Sequence, residues 1–295
     1  MKRPLAAALV AAATLLAACG DDDVTTSATT TTAAPDAPDR IVSMSPTSTE
    51  MLFAIGAGDQ VVAVDDYSNY PEEAPITDLS AYEPNVEAIT TYEPDLVVLS
   101  DGGGELAASL EQIGIEVLAL PAATTLDDAY EQIAQLGDVT GHGEEADEVI
   151  ADMRADLAEL VAEVPERATP LTYFHELDNT LYSVTSETFI GEVYALAGLE
   201  NVADPADADG QSGGYPQLSA EFLVEADPDL VFLADTKCCQ QTSETFGARP
   251  GFEVLQAVTE GNVVLLDDDI ASRWGPRVVD LLRAIVDAVK AVPVS

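Results

Sequence analysis

The stretch Val86-Glu87-Ala88-Ile89-Thr90-Thr91-Tyr92-Glu93-Pro94-Asp95-Leu96-Val97-Val98-Leu99 returns as Ala220-Glu221-Phe222-Leu223-Val224-Glu225-Ala226-Asp227-Pro228-Asp229-Leu230-Val231-Phe232-Leu233. Each copy opens on an N-cap residue, Asn85 or Ser219, with a glutamate two positions later. A short helix follows, and Pro-Asp-Leu-Val then leads into an apolar run of strand length. One such unit is an ordinary helix-to-strand connection. Two of them, a domain's length apart, predict two similar α/β lobes, each displaying one acid at the same place, Glu87 and Glu221.

Outward from the first copy, Ile41-Val42-Ser43-Met44 reads as a strand, and Ser45-Pro46-Thr47-Ser48-Thr49-Glu50 as a capped helix start with proline at its first position. Residues 51–55 continue the helix, Gly56 and Gly58 end it, and 61–64 form the next strand. Residues 94–100 and 115–120 supply two more strands around a helix over 105–113. Strands alternating with helices predict a parallel sheet covered on both faces. Over 144–164 the pattern changes. Ala146, Val149, Ile150, Met153, Leu157, Leu160 and Val164 recur at three- and four-residue spacing, which predicts one long helix crossing between the lobes. After Pro165 come strands at 171–174 and 181–184, a helix over 185–196, strands at 230–234 and 263–266, and a helix over 276–289. The expected architecture is α/β: a lobe over 40–141, a linking helix over 142–165 and a lobe over 166–295. The ligand cleft falls where strand ends face one another.

The first residues read as an address. Lys2 and Arg3 precede an apolar run over 5–16 that is too short to span a membrane, and Leu16-Ala17-Ala18-Cys19 ends it. Residues 1–18 are thus expected to be a lipoprotein signal peptide whose cleavage leaves Cys19 lipidated, holding the protein on the outer face of a membrane. Residues 19–39, rich in Asp, Thr, Ala and Pro, bury too little to offset their ordering entropy and read as a disordered tether. Eleven basic residues stand against 54 acidic ones, a formal charge of -43. That balance excludes a phosphate-binding surface, so nucleic acid is not a partner.

Taken together, Arg40 to Pro46 leading to Glu50, the Tyr67-Ser68-Asn69-Tyr70-Pro71 loop, both Pro-Asp-Leu-Val units, Tyr215-Pro216-Gln217-Leu218-Ser219 and the Arg273-Trp274-Gly275-Pro276-Arg277 turn resemble one family. It comprises the substrate-binding proteins that deliver cobalamin, ferric siderophores or haem to ABC importers. The resemblance covers essentially all of residues 40–295. It implies two Rossmann-like lobes bridged by a long helix, an ABC permease as partner, and no enzymatic activity or cofactor. It also implies that Glu87 and Glu221 dock into arginine pockets of the permease. Cobalamin-binding members give the nearest residue matches. Tyr67 falls on a loop tyrosine that packs on the corrin, Tyr215 on an aromatic position, and Asp269 with Arg273 on a polar pair at the cleft. Tyr182 and Trp274 are plausible additions, since a broad planar ligand wants flat aromatic walls. Where cobalamin binders carry tryptophans after the first Pro-Asp-Leu-Val strand, this chain has Ser100-Asp101-Gly102-Gly103-Gly104, read as a flexible lip. A large metal chelate is therefore the expected ligand, a corrinoid ahead of a hydroxamate-type ferric siderophore or haem. Against an anionic catecholate chelate stand only three candidate cleft cations, Lys237, Arg249 and Arg273.

Cys238 and Cys239 follow the second repeated strand. Outside the cell such a pair is prone to oxidation, and a vicinal disulfide on the cleft wall is the favoured reading, with two reduced thiols or a metal contact as alternatives. His142 and His175 do not make a metal site by themselves; His175 reads as a strand-end residue, with a cleft-facing or axial-ligand role as the rival. An extracellular hydrolase is the competing class. It would need an activated nucleophile, and the chain has no Gly-x-Ser-x-Gly elbow.

Overall fold

The aspartate of each Pro-Asp pair ties its strand to the first strand of the same lobe. Asp95 Oδ2 accepts from the backbone N–H of Asp39 (3.0 Å) and Arg40 (3.1 Å), and Asp229 Oδ2 accepts from Thr172 N (2.8 Å) and Oγ1 (2.9 Å). The residue before each proline is left-handed, Glu93 at φ 48° and Asp227 at φ 43°. The duplicated sequence is thus a duplicated turn, in which a left-handed residue ends the helix, proline prevents its resumption and aspartate fixes the strand.

The computed structural model describes residues 37–100 and 103–294. The expected signal peptide, the lipidation site Cys19, the tether up to residue 36, and Asp101 and Gly102 of the lip lie outside the described residues. The first lobe holds β1 (Ile41–Met44), α1 (Pro46–Ala54), β2 (Val61–Val64), α2 (Val86–Thr90), β3 (Leu96–Leu99), α3 (Gly104–Gln112), β4 (Glu116–Ala119) and α4 (Leu126–Thr140). Next comes α5 (Gly143–Ala162), whose 20 residues span about 30 Å. The second lobe holds β5 (Thr172–Glu176), α6 (Phe189–Leu196), β6 (Glu200–Asn201), α7 (Ala220–Ala226), β7 (Leu230–Leu233), α8 (Ser243–Gly247), α9 (Gln256–Glu260), β8 (Val263–Leu265), α10 (Asp268–Ser272) and α11 (Val278–Ala291). Both sheets are parallel and share one order, β2-β1-β3-β4 and β6-β5-β7-β8. The fold is therefore α/β, two like lobes joined by one long helix.

Strand alternation sorts the apolar side chains into layers. In the first lobe Val42, Met44, Val97 and Leu99 face Ile89 of α2 and Leu110 of α3. In the second, Phe174, Val231 and Leu233 pack with Phe246 and Phe252. The opposite faces of the two sheets belong to one continuous core. Ile41, Leu96 and Val98 are joined to Tyr173, Leu230 and Phe232 through Ile133 of α4, Met153 and Leu157 of α5, and Leu282 and Ile285 of α11. The lobes share apolar packing over the linking helix, and that limits how freely they can part.

The elements depart from the sequence reading in several places, among them the unread short elements β6, α8, α9 and α10. Residues 181–184 are not a strand. Leu181 is left-handed (φ 69°) after a turn in which Asp178 Oδ1 accepts from Thr180 N (2.7 Å), leaving a single bridge between Tyr182 and Gln217. The helix expected from 185 begins at Phe189, because Thr188 Oγ1 caps Gly191 N (3.0 Å). Helix α4 was not read from the sequence at all. Its Thr125–Asp128 capping box and its buried Ala129, Ile133 and Leu136 make it the partner on which α5 lies.

Candidate ligand cleft

The Tyr67 loop is held from below by a chain of small polar groups at the end of β2. Asp65, buried, accepts from Tyr67 N (2.8 Å) and Ser68 Oγ (2.7 Å). Thr49 Oγ1 joins Ser68 (2.9 Å) to Ser43 (2.8 Å). Burial pushes the Asp65 carboxyl above its usual range, and the Ser68 and Tyr67 donors pull the other way. With its backbone fixed, the Tyr67 ring stands half exposed, edge-on to Tyr82 at 5.4 Å and 78°. This aromatic corner borders a cavity of about 410 Å³, also lined by Ser45 and Thr47 at the start of α1, and by Asp269, Ser272, Arg273 and Trp274. A second cavity of about 350 Å³ adjoins it, sharing Met44, Ala81, Tyr82 and Ser100, and reaches Gly103 and Leu106.

Through Arg273 and Asp269 the cavity adjoins a buried ionic clasp between lobes. Glu50 of α1, only 3 % exposed, accepts from Arg273 Nη1 (2.7 Å) and from Arg277 Nε (2.9 Å). Arg273 is itself buried. It also donates from Nη1 to Asn69 Oδ1 (3.0 Å) and from Nη2 to the Tyr67 carbonyl (3.0 Å) and Asp269 Oδ1 (2.8 Å). Asn69 Nδ2 completes the ring by donating to Asp269 Oδ2 (3.1 Å). Burial opposes the charge on Asp269, but Lys237, Asn69 and Arg273 together hold its carboxyl below the usual range. Arg277 lies over the Tyr70 ring at 4.1 Å. Residues more than two hundred positions apart are therefore locked together by charge-assisted bonds out of water.

Four of the six expected ligand residues, Tyr67, Asp269, Arg273 and Trp274, come together around the cavity. Two of these have other commitments as well. Both Arg273 Nη groups are engaged in the clasp, and Trp274 Nε1 donates to Gln132 Oε1 (2.8 Å) while its ring packs on the shared core. Tyr182 and Tyr215 do not line this cavity; they stand half exposed on neighbouring segments of the second lobe. Gly214 sets the Tyr215 turn. It is left-handed at φ 89°, a Cβ there would meet Thr188 Cγ2 at 2.6 Å, and its N–H donates to Asp207 Oδ2 (2.7 Å). Sequence reading missed Tyr82 and the roles of Glu50 and Asn69. Tyr82 lies in an irregular stretch with no periodic signal, and only the three-dimensional approach of the lobes gives Glu50 its partners.

On the rim of the second lobe, Lys237 Nζ bonds Asp267 and Asp269 (both 2.7 Å). Asp268 accepts from Thr236 Oγ1 (2.8 Å), Lys237 N (2.9 Å) and Cys238 N (2.9 Å). Cys238 and Cys239 are free thiols with sulfurs 2.6 Å apart, and burial, with Cys239 and Asp268 adding to it, pushes the Cys238 thiol up to about 12. His175 does not face the cleft. It is fully buried, with Nδ1 2.8 Å from the Tyr194 hydroxyl, and burial lowers its pKa to about 3, so it is neutral. His142 stands at the N-terminal boundary of α5 without a side-chain capping bond, its Nδ1 lying 3.1 Å from the Thr140 carbonyl. Glu87 and Glu221 are exposed in the first turns of α2 and α7, and their carboxylates have no partner among the described residues.

Residues 41–270 match the sequence family described as periplasmic binding protein. A cobalamin-binding protein of Halobacterium salinarum is 31% identical over 260 residues, covering 85% of this chain and 69% of that protein. An ABC transporter substrate-binding lipoprotein of Bacillus subtilis is 27% identical over 261 residues, covering 85% and 80%. The crystal structure of the periplasmic vitamin B12-binding protein of Vibrio cholerae superposes with a TM-score of 0.67 at 27% identity, over 86% of this chain and 97% of that one.

Removing the Glu50 charge leaves two guanidiniums facing a weaker partner inside the protein. Glu50→Gln is expected to cost about 3–5 kcal/mol in urea denaturation. Glu163→Gln breaks only the exposed 2.7 Å pair with Lys290 and should leave the midpoint in place.

Proposed function

Since this chain belongs to the periplasmic binding protein family, binding proteins of ABC importers rather than enzymes, we propose that its cleft captures a neutral or cationic metal chelate, with a cobalamin-type corrinoid as the leading ligand. The observation that carries this reading is the state of the cations. Arg273 is taken by Glu50 and Asp269, Lys237 by Asp267 and Asp269, and Arg249 by Glu176 and Gln241. Each of the three cations expected at the cleft is thus already paired with carboxylates of the protein, which disfavours a ligand carboxylate or catecholate there. A chain with formal charge -43 also repels polyanions at a distance. What the cleft does offer is aromatic area at Tyr67 and Tyr82, hydroxyls at Ser45, Thr47 and Ser272, and two adjoining cavities that suit a broad ligand with few fixed polar contacts. The names of the Halobacterium and Vibrio relatives support the same ligand class.

Delivery calls for one recognition charge per lobe. Glu87 and Glu221 occupy equivalent positions in the duplicated turn, exposed and unpaired, which supports their use as docking charges for the importer's permease. In this reading Cys19 carries the lipid that keeps the protein at the membrane, as the name of the Bacillus relative suggests. Tyr182 and Tyr215 serve as the far aromatic wall once a ligand fills the cleft, and the Cys238–Cys239 pair, when oxidised, stiffens the rim beside it.

Calorimetry with cyanocobalamin, a ferric hydroxamate and a ferric catecholate tests the ligand class. Binding should be confined to the first or the first two, and Tyr67→Ala and Tyr82→Ala should each weaken it by about 1–3 kcal/mol through lost contact area. Tight binding of the catecholate alone would refute the proposal. For docking, Glu87→Lys together with Glu221→Lys should leave ligand affinity unchanged and abolish uptake by cells, because each reversal sets like charges against each other at the permease. Transport that survives the double reversal would leave both residues as helix-start acids.

A further inference from the structure

Glu176 ends β5 opposite Leu233 of β7, and Asp235 lies two residues beyond Leu233. Alternation puts both carboxyls on the sheet face that carries Phe174, Val231 and Leu233, and both residues are 0 % exposed. Arg249 forks onto Glu176, with Nη1 to Oε2 and Nη2 to Oε1 both at 2.6 Å, and Nη2 also reaches Gln241 Oε1 (2.7 Å). Neither oxygen of Asp235 meets an N–H or hydroxyl donor, and its side-chain hydrogen-bond neighbour is the Glu176 carboxyl, a contact that requires a proton on one of the two. Two buried carboxyls thus face one guanidinium.

The other charged groups nearby do not make up the difference. Asp268 of α10 adds a repulsive charge. The Lys237 ammonium is turned to Asp267 and Asp269. His175 lies on the opposite face of β5, bonded to Tyr194 and neutral. An ionised Asp235 with no donor would be an uncompensated buried charge, which proteins avoid by keeping the group protonated.

We propose that Glu176 and Asp235 form a proton-binding site that holds one proton between them, and that this proton keeps the Thr236–Gln241 rim of the cleft seated. The rim hangs from the same groups. The Asp235 carbonyl accepts from Cys239 N (3.2 Å) and Gln241 N (3.3 Å), and the Gln241 side chain is gripped by Arg249. On its outer side the rim is exposed at Lys237 and Cys238. When the proton leaves, two carboxylates share one guanidinium, and opening this rim admits the water that relieves them. Burial raises both carboxyls, that of Glu176 to about 7 against the pull of Arg249, so the change falls near neutral pH. The proton belongs to the pair rather than to either residue.

The sign of the pH dependence follows from linkage. A carboxyl whose folded pKa is raised contributes stability that is complete below its unfolded pKa of about 4 and is lost as pH rises through the folded value. Thermal unfolding of wild type and Asp235→Asn between pH 5 and 8.5 should therefore diverge, the wild-type Tm falling relative to the variant as pH rises. Parallel curves overturn the shared proton. Should the variant fail to fold, carboxyl carbon NMR of the wild type decides the matter. A carboxyl of the pair titrating near pH 7 supports the site, and full ionisation of both at pH 5 overturns it. For the rim, hydrogen exchange at the Cys239 and Gln241 amides, corrected for its intrinsic pH dependence, should lose protection by up to about tenfold per pH unit as pH rises from 5 toward the folded-state pKa, and level off above it. Protection that does not change across pH 5–8.5 in the wild type overturns the rim's dependence on the proton.

Discussion

One carboxylate, that of Glu50, serves two guanidiniums delivered from the far end of the chain. Such a group is expensive to bury and can persist only if every partner stays in place. Each partner therefore constrains an element of the cleft. Arg273 fixes the Tyr67 carbonyl, Asn69 and Asp269, and through Asp269 it reaches Lys237 and the cysteine rim. Arg277 presses on Tyr70 at the flank. The aromatic corner beside the cavity is thus positioned by ionic contacts it does not itself make.

Apolar packing supports the same rigidity. The inner faces of both sheets belong to one core running over α4, α5 and α11, so the lobes are joined by continuous contact as well as by a single helix. A clasp beside the cleft and a shared core leave small motions of the rims as the accessible change. The rim segment resting on Glu176 and Asp235 is the part whose order depends on an ionisation near neutral pH.

Much of the fold was legible because its signals are local. The strands at 41–44 and 61–64 are short apolar runs bounded by a cap or by glycines, and the 3.6-residue period of α5 persists over five turns. The duplicated Pro-Asp turn disclosed both lobes because its mechanism is confined to a few adjacent residues. What was missed depends on distant partners or on single backbone torsions. Helix α4 carries a capping box and an apolar stripe, but its pattern runs into that of the adjacent α5 across only Gly141 and His142. The apolar stretch at 181–184 was overruled by one left-handed residue. In the site, residue types were readable and their employment was not. Arg273 looked like a ligand contact, and Glu50 like part of a helix start, because only the folded chain brings them to 2.7 Å.

The structure's central consequence is chemical. With its cations paired to the protein's own carboxylates, the cleft offers rings, hydroxyls and Asp269, and so should prefer a ligand without anionic groups. The most direct measurement is competitive calorimetry between a corrinoid bearing neutral peripheral amides and the same corrinoid with several of those amides converted to carboxylates. The amide form should bind more tightly by at least about tenfold. Equal or tighter binding of the carboxylate form would mean that a cation is free to receive it, contrary to the clasp described here.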